Sequence, residues 1–453
     1  MYFYGDCYVM LVRVFHEVLV EDLDPKSRVS KTIRLKDDKL VVPGYEPIPV
    51  PEKCVHVIGF GKAAYKMLLG LVDSIGLERV CGGLIVVPRG YGDYPASVGP
   101  VRILESSHPL PDESSLKAGL ELLDYVSKLD ASSVVVALVS GGGSSLVEVP
   151  EDGLELEDVV EATRLLMEAG ASIHELNIVR KHLSAIKGGK LLRRMRARTI
   201  VNLVVSDVVG DDPTMVASGP TLPDEHTFSD ARRVLVSRGV WSRLGDRVRG
   251  FIEAGCRGEV PGTLSPSEAS NYIMATRIIL RNRDALESFA RRLSGIGFQP
   301  FILTDMVQGE AREAGKLLAG VMASALRGHW GIERPFTVIA GGETTVTLSG
   351  ERGVGGRCQE LCLSMALTLK ELKADEYYVL CAGTDGIDGN SPAAGAIADH
   401  KLVDEAYSAG LDPYKHLEKH DTFTLFFKLK RSVITGPTGT NVNDVVVFVA
   451  PRL

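Results

Sequence analysis

The sequence lacks the features that mark secreted, membrane-spanning or nucleic-acid-binding proteins. Its 453 residues carry 51 Lys and Arg against 58 Asp and Glu, a net charge of −7 that disfavours nucleic acid as a partner. No apolar run approaches the roughly 18 residues that a membrane span needs. The first six residues have neither the basic start nor the apolar core of a signal peptide. We therefore expect a cytoplasmic protein without a membrane partner.

Cysteine is sparse and shows no metal-binding pattern. The seven cysteines are odd in number, scattered and without a C-x-x-C pair. Cys358 and Cys362 lie at helical spacing, but no second pair of ligands accompanies them. We interpret both as buried small apolar residues.

Glycine, by contrast, is abundant, with 47 residues, and many glycines follow short apolar runs that alternate with helical segments. Uniformly apolar strands separated by helices indicate a parallel sheet covered on both faces, which is an α/β fold. Strands are predicted at 54–58, 83–87, 133–139, 199–205, 299–303, 335–340, 343–348, 377–382 and 444–449.

The length favours two domains, and the Gly- and Pro-rich stretch 255–268 reads as the linker between them. We predict a larger Rossmann-like nucleotide-binding domain with a mainly parallel sheet over residues 1–262. A second α/β domain is predicted over residues 263–453.

The first glycine-rich turn, 59–64, follows a strand, opens a helix and fits G-x-G-x-x-A. Such a turn directs backbone N–H groups at an anion. The acid that a dinucleotide site needs after the second strand is missing, because that strand ends Val87-Pro88-Arg89. Lys62 lies inside the turn, and a tight turn with a solvated lysine remains the alternative.

A second glycine-rich segment, Ser140-Gly141-Gly142-Gly143-Ser144-Ser145, follows the third strand. Small residues at the carboxyl end of a strand leave amide groups open to phosphate. The segment matches neither the P-loop nor the serine-hydrolase elbow, and a plain loop is the alternative.

Segment 177–190 reads as an amphipathic helix that carries several cations and ends in paired glycines. Two interpretations stay open. It is either a solvated helix face with a glycine C-cap or an anion-binding element.

Carboxylates follow strands at two places. Asp207 comes directly after the fourth strand and is the best candidate for Mg²⁺, whereas Asp211 and Asp212 are typical turn residues. Gly219 belongs to the same loop region. Asp385, after the strand at 377–382, is a second candidate ligand.

Arg357 follows Gly355-Gly356 and opens a helix, where a positive charge is locally unfavourable. A functional cation explains this placement better than stability does. Glu343 follows the glycine pair Gly341-Gly342 at the end of another strand.

Taken in order, these motifs resemble the glycerate kinases that phosphorylate the 2-hydroxyl, the family whose C-terminal half is called the MOFRL domain. The resemblance covers about residues 16–449 and rests on segments that appear in the family's order: 59–63, 140–145, 206–211, 217–221, 341–344, 355–357, 382–389 and 436–442. It implies conversion of D-glycerate to 2-phosphoglycerate with ATP and Mg²⁺ or another divalent cation. It also implies an active site in the cleft between two α/β domains.

The resemblance places catalysis on Lys62 and Arg357, which also serve as substrate-binding residues together with Glu343. The nucleotide phosphates are expected at Ser140, Gly141, Gly142, Gly143, Ser144, Ser145 and Gly219, and the metal at Asp207 and Asp385. The alternatives are an NAD(P)H-dependent hydroxypyruvate reductase and a non-catalytic nucleotide or sugar-acid binder. The oligomeric state is left open, with a homodimer as one option.

Overall fold

The computed structural model describes residues 7–348 and 353–452. The first six residues, on which the absence of a signal peptide was argued, and segment 349–352 of the predicted turn before Arg357 lie outside the described residues. Among the residues that are described, no helix is long and apolar enough to cross a bilayer.

The chain forms two compact units. One is Pro25–Ile279, here called the seven-stranded unit, and the other is Met1–Asp24 with Leu280–Leu453, here called the six-stranded unit. This division differs from the predicted one. The segment 255–268, read as a linker, precedes a strand, Ile273–Leu280, that joins the sheet of the seven-stranded unit. Exposed, half-buried and buried residues are mixed along this strand, as expected at the edge of a sheet, so it carries a weak apolar signal.

The elements begin with α1 (Cys7–Glu17), which is followed by a π-helical turn (Val18–Asp22) in the six-stranded unit. The seven-stranded unit then contains α2 (Pro25–Thr32), β1 (Arg34–Lys36), β2 (Lys39–Val41), β3 (Ile48–Pro49), β4 (Val55–Phe60), α3 (Ala64–Ile75), β5 (Val80–Pro88), β6 (Ser97–Val98), β7 (Val101–Ser106), α4 (Glu113–Ser127), β8 (Val134–Ser140), α5 (Gly143–Leu146), α6 (Leu156–Glu168), α7 (Ile173–Leu183), α8 (Lys190–Arg194), β9 (Thr199–Val205), α9 (Phe228–Ser237), α10 (Asp246–Cys256), α11 (Pro266–Ala269) and β10 (Ile273–Leu280).

The main sheet of this unit has the strand order β10-β9-β8-β4-β5-β7-β6. Neighbours from β9 through β7 pair in parallel, and β6 pairs antiparallel to β7. Every residue of β8 is buried, as a strand covered on both faces requires. The predicted α/β class with a mainly parallel sheet is confirmed. Because the central strands run in parallel, their glycine-rich loops meet at one edge of the sheet.

The six-stranded unit continues with α12 (Asn282–Gly295), β11 (Gln299–Val307), α13 (Ala311–Leu326), β12 (Phe336–Gly342), α14 (Arg357–Glu371), β13 (Tyr378–Gly383), β14 (Gly395–Asp399), α15 (Leu402–Ser408), α16 (Pro413–Glu418), α17 (Thr422–Lys428), β15 (Ser432–Val433) and β16 (Asp444–Ala450). Its sheet has the order β11-β12-β16-β13-β14-β15. Only the β11–β12 pair is parallel among these pairings. The buried thiols of Cys358 and Cys362 belong to its apolar core, as predicted.

The strand predicted at 343–348 is wrong. Beyond Gly342 the backbone leaves the sheet, and Thr345 forms only an isolated bridge with Glu310. The Thr345 carbonyl accepts from Ala311 N at 2.8 Å, so the alternating Thr and Val residues pair with the loop before α13.

Candidate active site

The first glycine-rich turn is held tightly against the end of β8. Gly61 has φ +127°, and a Cβ at this position would fall on Ser140. The Ser140 hydroxyl accepts a hydrogen bond from Ala63 N at 3.0 Å, and Lys62 N donates to Gly141 O at 2.9 Å. The turn therefore places Lys62 directly beside the second glycine-rich segment.

The Lys62 side chain lies over Gly142. A Cβ on Gly142 would come within 3.5 Å of Lys62 Cγ and 3.0 Å of His108 Cδ2, and the glycine has φ +84°. The Lys62 ammonium lies 5.7 Å from the centroid of the Tyr91 ring. His108 and Tyr91 were not predicted as neighbours of Lys62, because both belong to loops far from it in sequence that were not selected as phosphate-binding motifs.

The 140–145 segment is a packed loop rather than a plain surface loop. Ser144 Oγ lies 2.8 Å from Ser218 Oγ, which in turn donates to Asn177 Oδ1 at 2.7 Å. Ser145 Oγ donates to Gly142 O at 3.1 Å. The predicted phosphate residue Ser144 is thus joined by a hydrogen bond to Ser218, the neighbour of the predicted phosphate residue Gly219.

Backbone strain is concentrated beside this network. Ala217, Ser218 and Gly219 have φ of +51°, +61° and +59° in succession. Left-handed non-glycine residues are uncommon and persist where the surroundings impose them, often at functional sites. The carbonyls of Ser218 and Gly219 accept from Gly188 N and Gly189 N at 3.0 and 2.8 Å.

Asp207 packs onto the same glycines. A Cβ on Gly141 would collide with the Asp207 carboxylate, so only glycine permits this approach. The structure therefore brings Lys62, the 140–145 segment and Asp207 together at one edge of the sheet, as the sequence predicts.

We expect Gly61→Ala to destabilise the protein by about 3 kcal/mol, because the methyl group meets Ser140 and the backbone is strained for any L-residue. Gly90→Ala is the matched control, since Gly90 has φ +79° but no atom within 4 Å of a Cβ. We expect a loss of about 1 kcal/mol there, from backbone strain alone. Urea unfolding of both variants measures the difference. Equal losses would show that the contact with Ser140 has no effect.

The cationic segment 177–190 is neither the solvated helix face nor the continuous helix that was predicted. Helix α7 ends at Leu183, and Lys181, Lys187 and Lys190 are all buried. Lys181 pairs with Asp224 at 2.7 Å, Lys187 with Glu148 at 2.5 Å and Lys190 with Glu151 at 2.5 Å. Each of these three lysines therefore has a carboxylate partner within the unit, and Arg180 Nε donates to Thr163 Oγ1 at 3.3 Å.

His182, also in α7, is buried and makes stability dependent on pH. Its Nδ1 lies 2.7 Å from Ile178 O, and its ring stacks edge-on against Phe228 at 4.7 Å. Burial lowers the pKa of His182 to about 4. In the unfolded chain the histidine pKa is about 6.5. Between about pH 6.5 and about pH 4, the unfolded state therefore binds a proton at this histidine and the folded state does not.

Because of His182, we expect the free energy of unfolding to fall by about 3 kcal/mol as the pH is lowered from about 6.5 to about 4. His182→Gln removes the titrating group, so the stability difference between wild type and variant should shift by this amount across that window. Urea unfolding in steps between pH 7 and pH 4 measures it. Parallel stability curves for the two proteins would contradict the assignment.

In the six-stranded unit, Arg357 begins α14 and is held by two carboxylates. Its Nε and Nη2 donate to the Asp444 oxygens at 2.6 and 3.0 Å, and Nη1 lies 2.7 Å from Glu343 Oε1. Burial opposes its charge, but Asp444 and Glu343 outweigh burial and hold the pKa of Arg357 well above its ordinary value. The Arg357 side chain is 31% exposed, and its guanidinium is held in place by the two carboxylates.

The Asp388 carboxylate lies at the N-terminus of α14, which is the positive end of the helix dipole. Its two carboxylate oxygens accept from Cys358 N at 3.0 Å and from Gln359 N at 2.9 Å. Burial raises the pKa of Asp388 to about 6 in spite of these bonds. The unfavourable placement of Arg357 at a helix N-terminus is therefore offset locally by an acid that the sequence analysis did not select.

Asp385 lies close to Asp444. A Cβ on Gly383 would come within 3.3 Å of Asp385 Oδ1 and 3.4 Å of Asp444 Oδ1, so both carboxylates face this glycine. Asp385 also accepts from Ile387 N at 3.1 Å. Asp444 was missed by the sequence analysis, which looked for acids at the ends of strands, whereas Asp444 is the first residue of β16.

The predicted site residues therefore form two groups. The group in the seven-stranded unit contains Lys62, Ser140–Ser145, Asp207 and Gly219, and the group in the six-stranded unit contains Glu343, Arg357 and Asp385. The two predicted metal ligands, Asp207 and Asp385, thus belong to different units. Carboxylate oxygens are the donors that Mg²⁺ prefers, and both residues offer them.

Comparison with known proteins gives two family matches and several relatives that cover nearly the whole chain. Residues 11–253 match a family described as a domain of unknown function (DUF4147), and residues 336–444 match the MOFRL family. A glycerate 2-kinase of Pyrococcus horikoshii is 37% identical over 95% of this chain and 94% of its own length. A protein of Agrobacterium vitis with the provisional name hydroxypyruvate reductase is 39% identical over 90% of each chain. The crystal structure of a glycerate kinase from Thermotoga maritima is similar with a TM-score of 0.79, covering 98% of this chain and 99% of that one at 32% identity.

Proposed function

Because the chain belongs to the glycerate 2-kinase family, we propose that it transfers the γ-phosphoryl group of ATP to the 2-hydroxyl of D-glycerate. The products are 2-phosphoglycerate and ADP. In this reaction the 2-hydroxyl oxygen bonds to the γ-phosphorus, the bond from that phosphorus to the ADP oxygen breaks, and the hydroxyl proton is released.

Phosphoryl chemistry is supported by one observation above all. Two glycine-rich loops and a lysine meet at the carboxyl edge of a parallel sheet, and each glycine there is required by a close approach or a positive φ. Phosphoryl transfer needs positioning and charge neutralisation rather than covalent help from the protein. The identity of the acceptor, glycerate, rests on the family.

We assign the nucleotide phosphates to the segment Ser140–Ser145 and to Gly219. Backbone N–H groups at strand ends bind phosphate well when no side chain obstructs them. The hydrogen bond between Ser144 and Ser218, together with the strained backbone at 217–219, keeps these loops in one arrangement before the nucleotide arrives.

We assign Lys62 and Arg357 to the transferring phosphoryl group and the glycerate carboxylate. Glu343 fixes Arg357 through its ion pair and is proposed to accept a hydrogen bond from glycerate. Asp207 and Asp385 are the proposed ligands of Mg²⁺ or another divalent cation. When bound, the cation would neutralise phosphate charge.

A coupled assay tests this function. Purified protein is incubated with ATP, Mg²⁺ and D-glycerate, and enolase is added to convert 2-phosphoglycerate to phosphoenolpyruvate. We expect phosphoenolpyruvate to form with enolase alone. Because enolase itself requires Mg²⁺, the effect of chelation is measured on ADP formation without enolase, and we expect chelation to stop it.

Two results would contradict the proposal. Formation of phosphoenolpyruvate only after addition of phosphoglycerate mutase would show transfer to the 3-hydroxyl. Oxidation of NAD(P)H by hydroxypyruvate without any need for ATP would show a reductase. Strand β5, however, ends without the acid that a dinucleotide site uses to bind the ribose.

A further inference from the structure

Four side chains with metal-binding atoms lie together at the end of the seven-stranded sheet opposite to the glycine-rich loops. Glu52 and Cys54 precede β4, His56 is its second residue, and Cys81 is the second residue of β5. Cys54 and Cys81 are joined by a disulfide, with their Cα atoms 5.4 Å apart. Neither the cluster nor the disulfide was predicted, because its members come from separate, unremarkable stretches of sequence.

We propose that this cluster binds Zn²⁺ whenever the two cysteines are reduced. The site then contains either the disulfide or the bound ion, never both. Two thiolates, an imidazole and a carboxylate form a ligand set typical of tetrahedral zinc. The proposal is independent of the proposed kinase activity.

The distances suit such a site. His56 Nε2 lies 3.6 Å from Glu52 Oε2, and Cys81 Sγ lies 4.0 Å from the same oxygen. These three ligand atoms all lie within 4.8 Å of one another. Tetrahedral zinc with bonds of about 2.0–2.3 Å requires separations of about 3.4–3.8 Å between ligand atoms, so small side-chain rotations are enough.

Neighbouring groups already orient two of the ligands. His56 Nδ1 lies 2.7 Å from the Tyr125 hydroxyl. With Nε2 on the metal, Nδ1–H donates to Tyr125 Oη, and such outer partners fix the tautomer of zinc-binding histidines. Glu52 Oε1 accepts from Ser133 Oγ at 2.9 Å.

Disulfide and metal exclude each other for a geometric reason. Bonded sulfur atoms are about 2 Å apart, whereas two thiolates on one zinc ion are about 3.8 Å apart. A dithiol supplies two electrons and two protons to the sulfur–sulfur bond and becomes a disulfide, whereas a phosphine supplies the two electrons and becomes a phosphine oxide with the oxygen of a water molecule, which provides the two protons. Binding of Zn²⁺ then releases both thiol protons.

The position of the cluster assigns it a structural role. It links the amino ends of β4 and β5. Along β4, the distance from His56 to Gly61 is about 16 Å. A bound ion would therefore replace the covalent link between neighbouring strands and leave the loops around Lys62 unchanged.

Untagged full-length protein provides the test. After treatment with a phosphine reductant, addition of Zn²⁺ and desalting, we expect one zinc per chain by mass spectrometry. Protein oxidised with diamide should retain none. Co²⁺ in place of zinc should give the thiolate charge-transfer bands and the visible spectrum of tetrahedral cobalt.

Variants identify the ligands. Cys54→Ser and Cys81→Ser should lose zinc, whereas Cys256→Ser, which alters an exposed free cysteine, should retain it. Tyr125→Phe leaves every ligand in place and should weaken zinc affinity about 10-fold to 100-fold. Far-ultraviolet circular dichroism shows which variants are folded.

The proposal is overturned if reduced wild-type protein binds no zinc, or if thiol titration shows that the disulfide resists reduction in the folded protein. It is equally overturned if folded Cys54→Ser and Cys81→Ser bind zinc as wild type does. The experiment on wild-type protein decides the matter even when a cysteine variant fails to fold.

Discussion

Replacing Arg357 by glutamine is expected to lower kcat for glycerate phosphorylation by about 10³-fold to 10⁵-fold, the range seen when a phosphoryl-transfer site loses its arginine. The reason is twofold. The variant lacks the cation proposed to neutralise the transferring group, and it leaves the carboxylates of Asp444 and Glu343 without their guanidinium. Two uncompensated negative charges would repel anionic substrates.

Arg312→Gln is the matched control. Arg312 is the second residue of α13 in the same unit, its side chain is also 31% exposed, and it also faces two carboxylates, those of Glu310 and Glu360. We expect near wild-type kcat for this variant. Steady-state kinetics of both proteins, with thermal unfolding to verify the fold, distinguishes a site residue from a general electrostatic effect.

Arg357→Lys separates charge from geometry. A lysine keeps the positive charge, but it cannot donate through two nitrogens to Asp444 as Arg357 does. We expect an intermediate kcat. Near-normal turnover by Arg357→Gln, or an equal loss in Arg312→Gln, would rule out the assignment.

Replacing Lys62 by methionine is expected to lower kcat by about 10²-fold to 10³-fold. This is the loss seen when one preorganised hydrogen-bond donor is removed from an active site. Methionine keeps an unbranched apolar side chain over Gly142 and removes the ammonium group. If Lys62 acts mainly in the transition state, kcat falls and the KM for ATP changes little. If it binds ground-state phosphate, that KM rises as well.

Lys66→Met controls for the loss of a cation near the same turn. Lys66 lies in α3, four residues after Lys62, and both lysines are half-buried. We expect little change in either constant. A Lys62→Met protein as active as Lys66→Met would mean that Lys62 is a surface lysine of a structural turn.

Much of the first half of the chain could be predicted from its sequence. The strands β4 and β8 are short apolar runs followed directly by glycine, β9 is followed by Ser206 and Asp207, and parallel strands place such loops at one edge. That is why Lys62, Gly141 and Asp207 were correctly expected together. The prediction needed no knowledge of strand order beyond the parallel direction.

The second half was harder to predict because its sheet is mostly antiparallel. Gly342 and Gly383, at the ends of β12 and β13, both pair with Asp444 at the beginning of β16. A search for acids at strand ends finds Asp385 and misses Asp444. The principal partner of Arg357 therefore depends on a strand direction that the apolar pattern does not encode.

Buried charge shows the same limit. The cations of segment 177–190 have the spacing of a solvated helix face, and nothing local distinguishes that from burial. Lys187 is buried because Glu148, 39 residues away in sequence, supplies the opposite charge. Helix α7 ends at Leu183, before the paired glycines. An ion pair between distant residues is a property of the folded chain.

The sequence by itself determined the α/β class and the glycine-rich loops, because strand periodicity and positive-φ turns are local requirements on residue type. The family resemblance of the sequence supplied the two cations proposed for catalysis. Tertiary structure alone decided which groups face those cations, where the cationic segment is buried, and that Glu52, Cys54, His56 and Cys81 meet. These features depend on strand order and direction, which bring residues from separate stretches of sequence into contact.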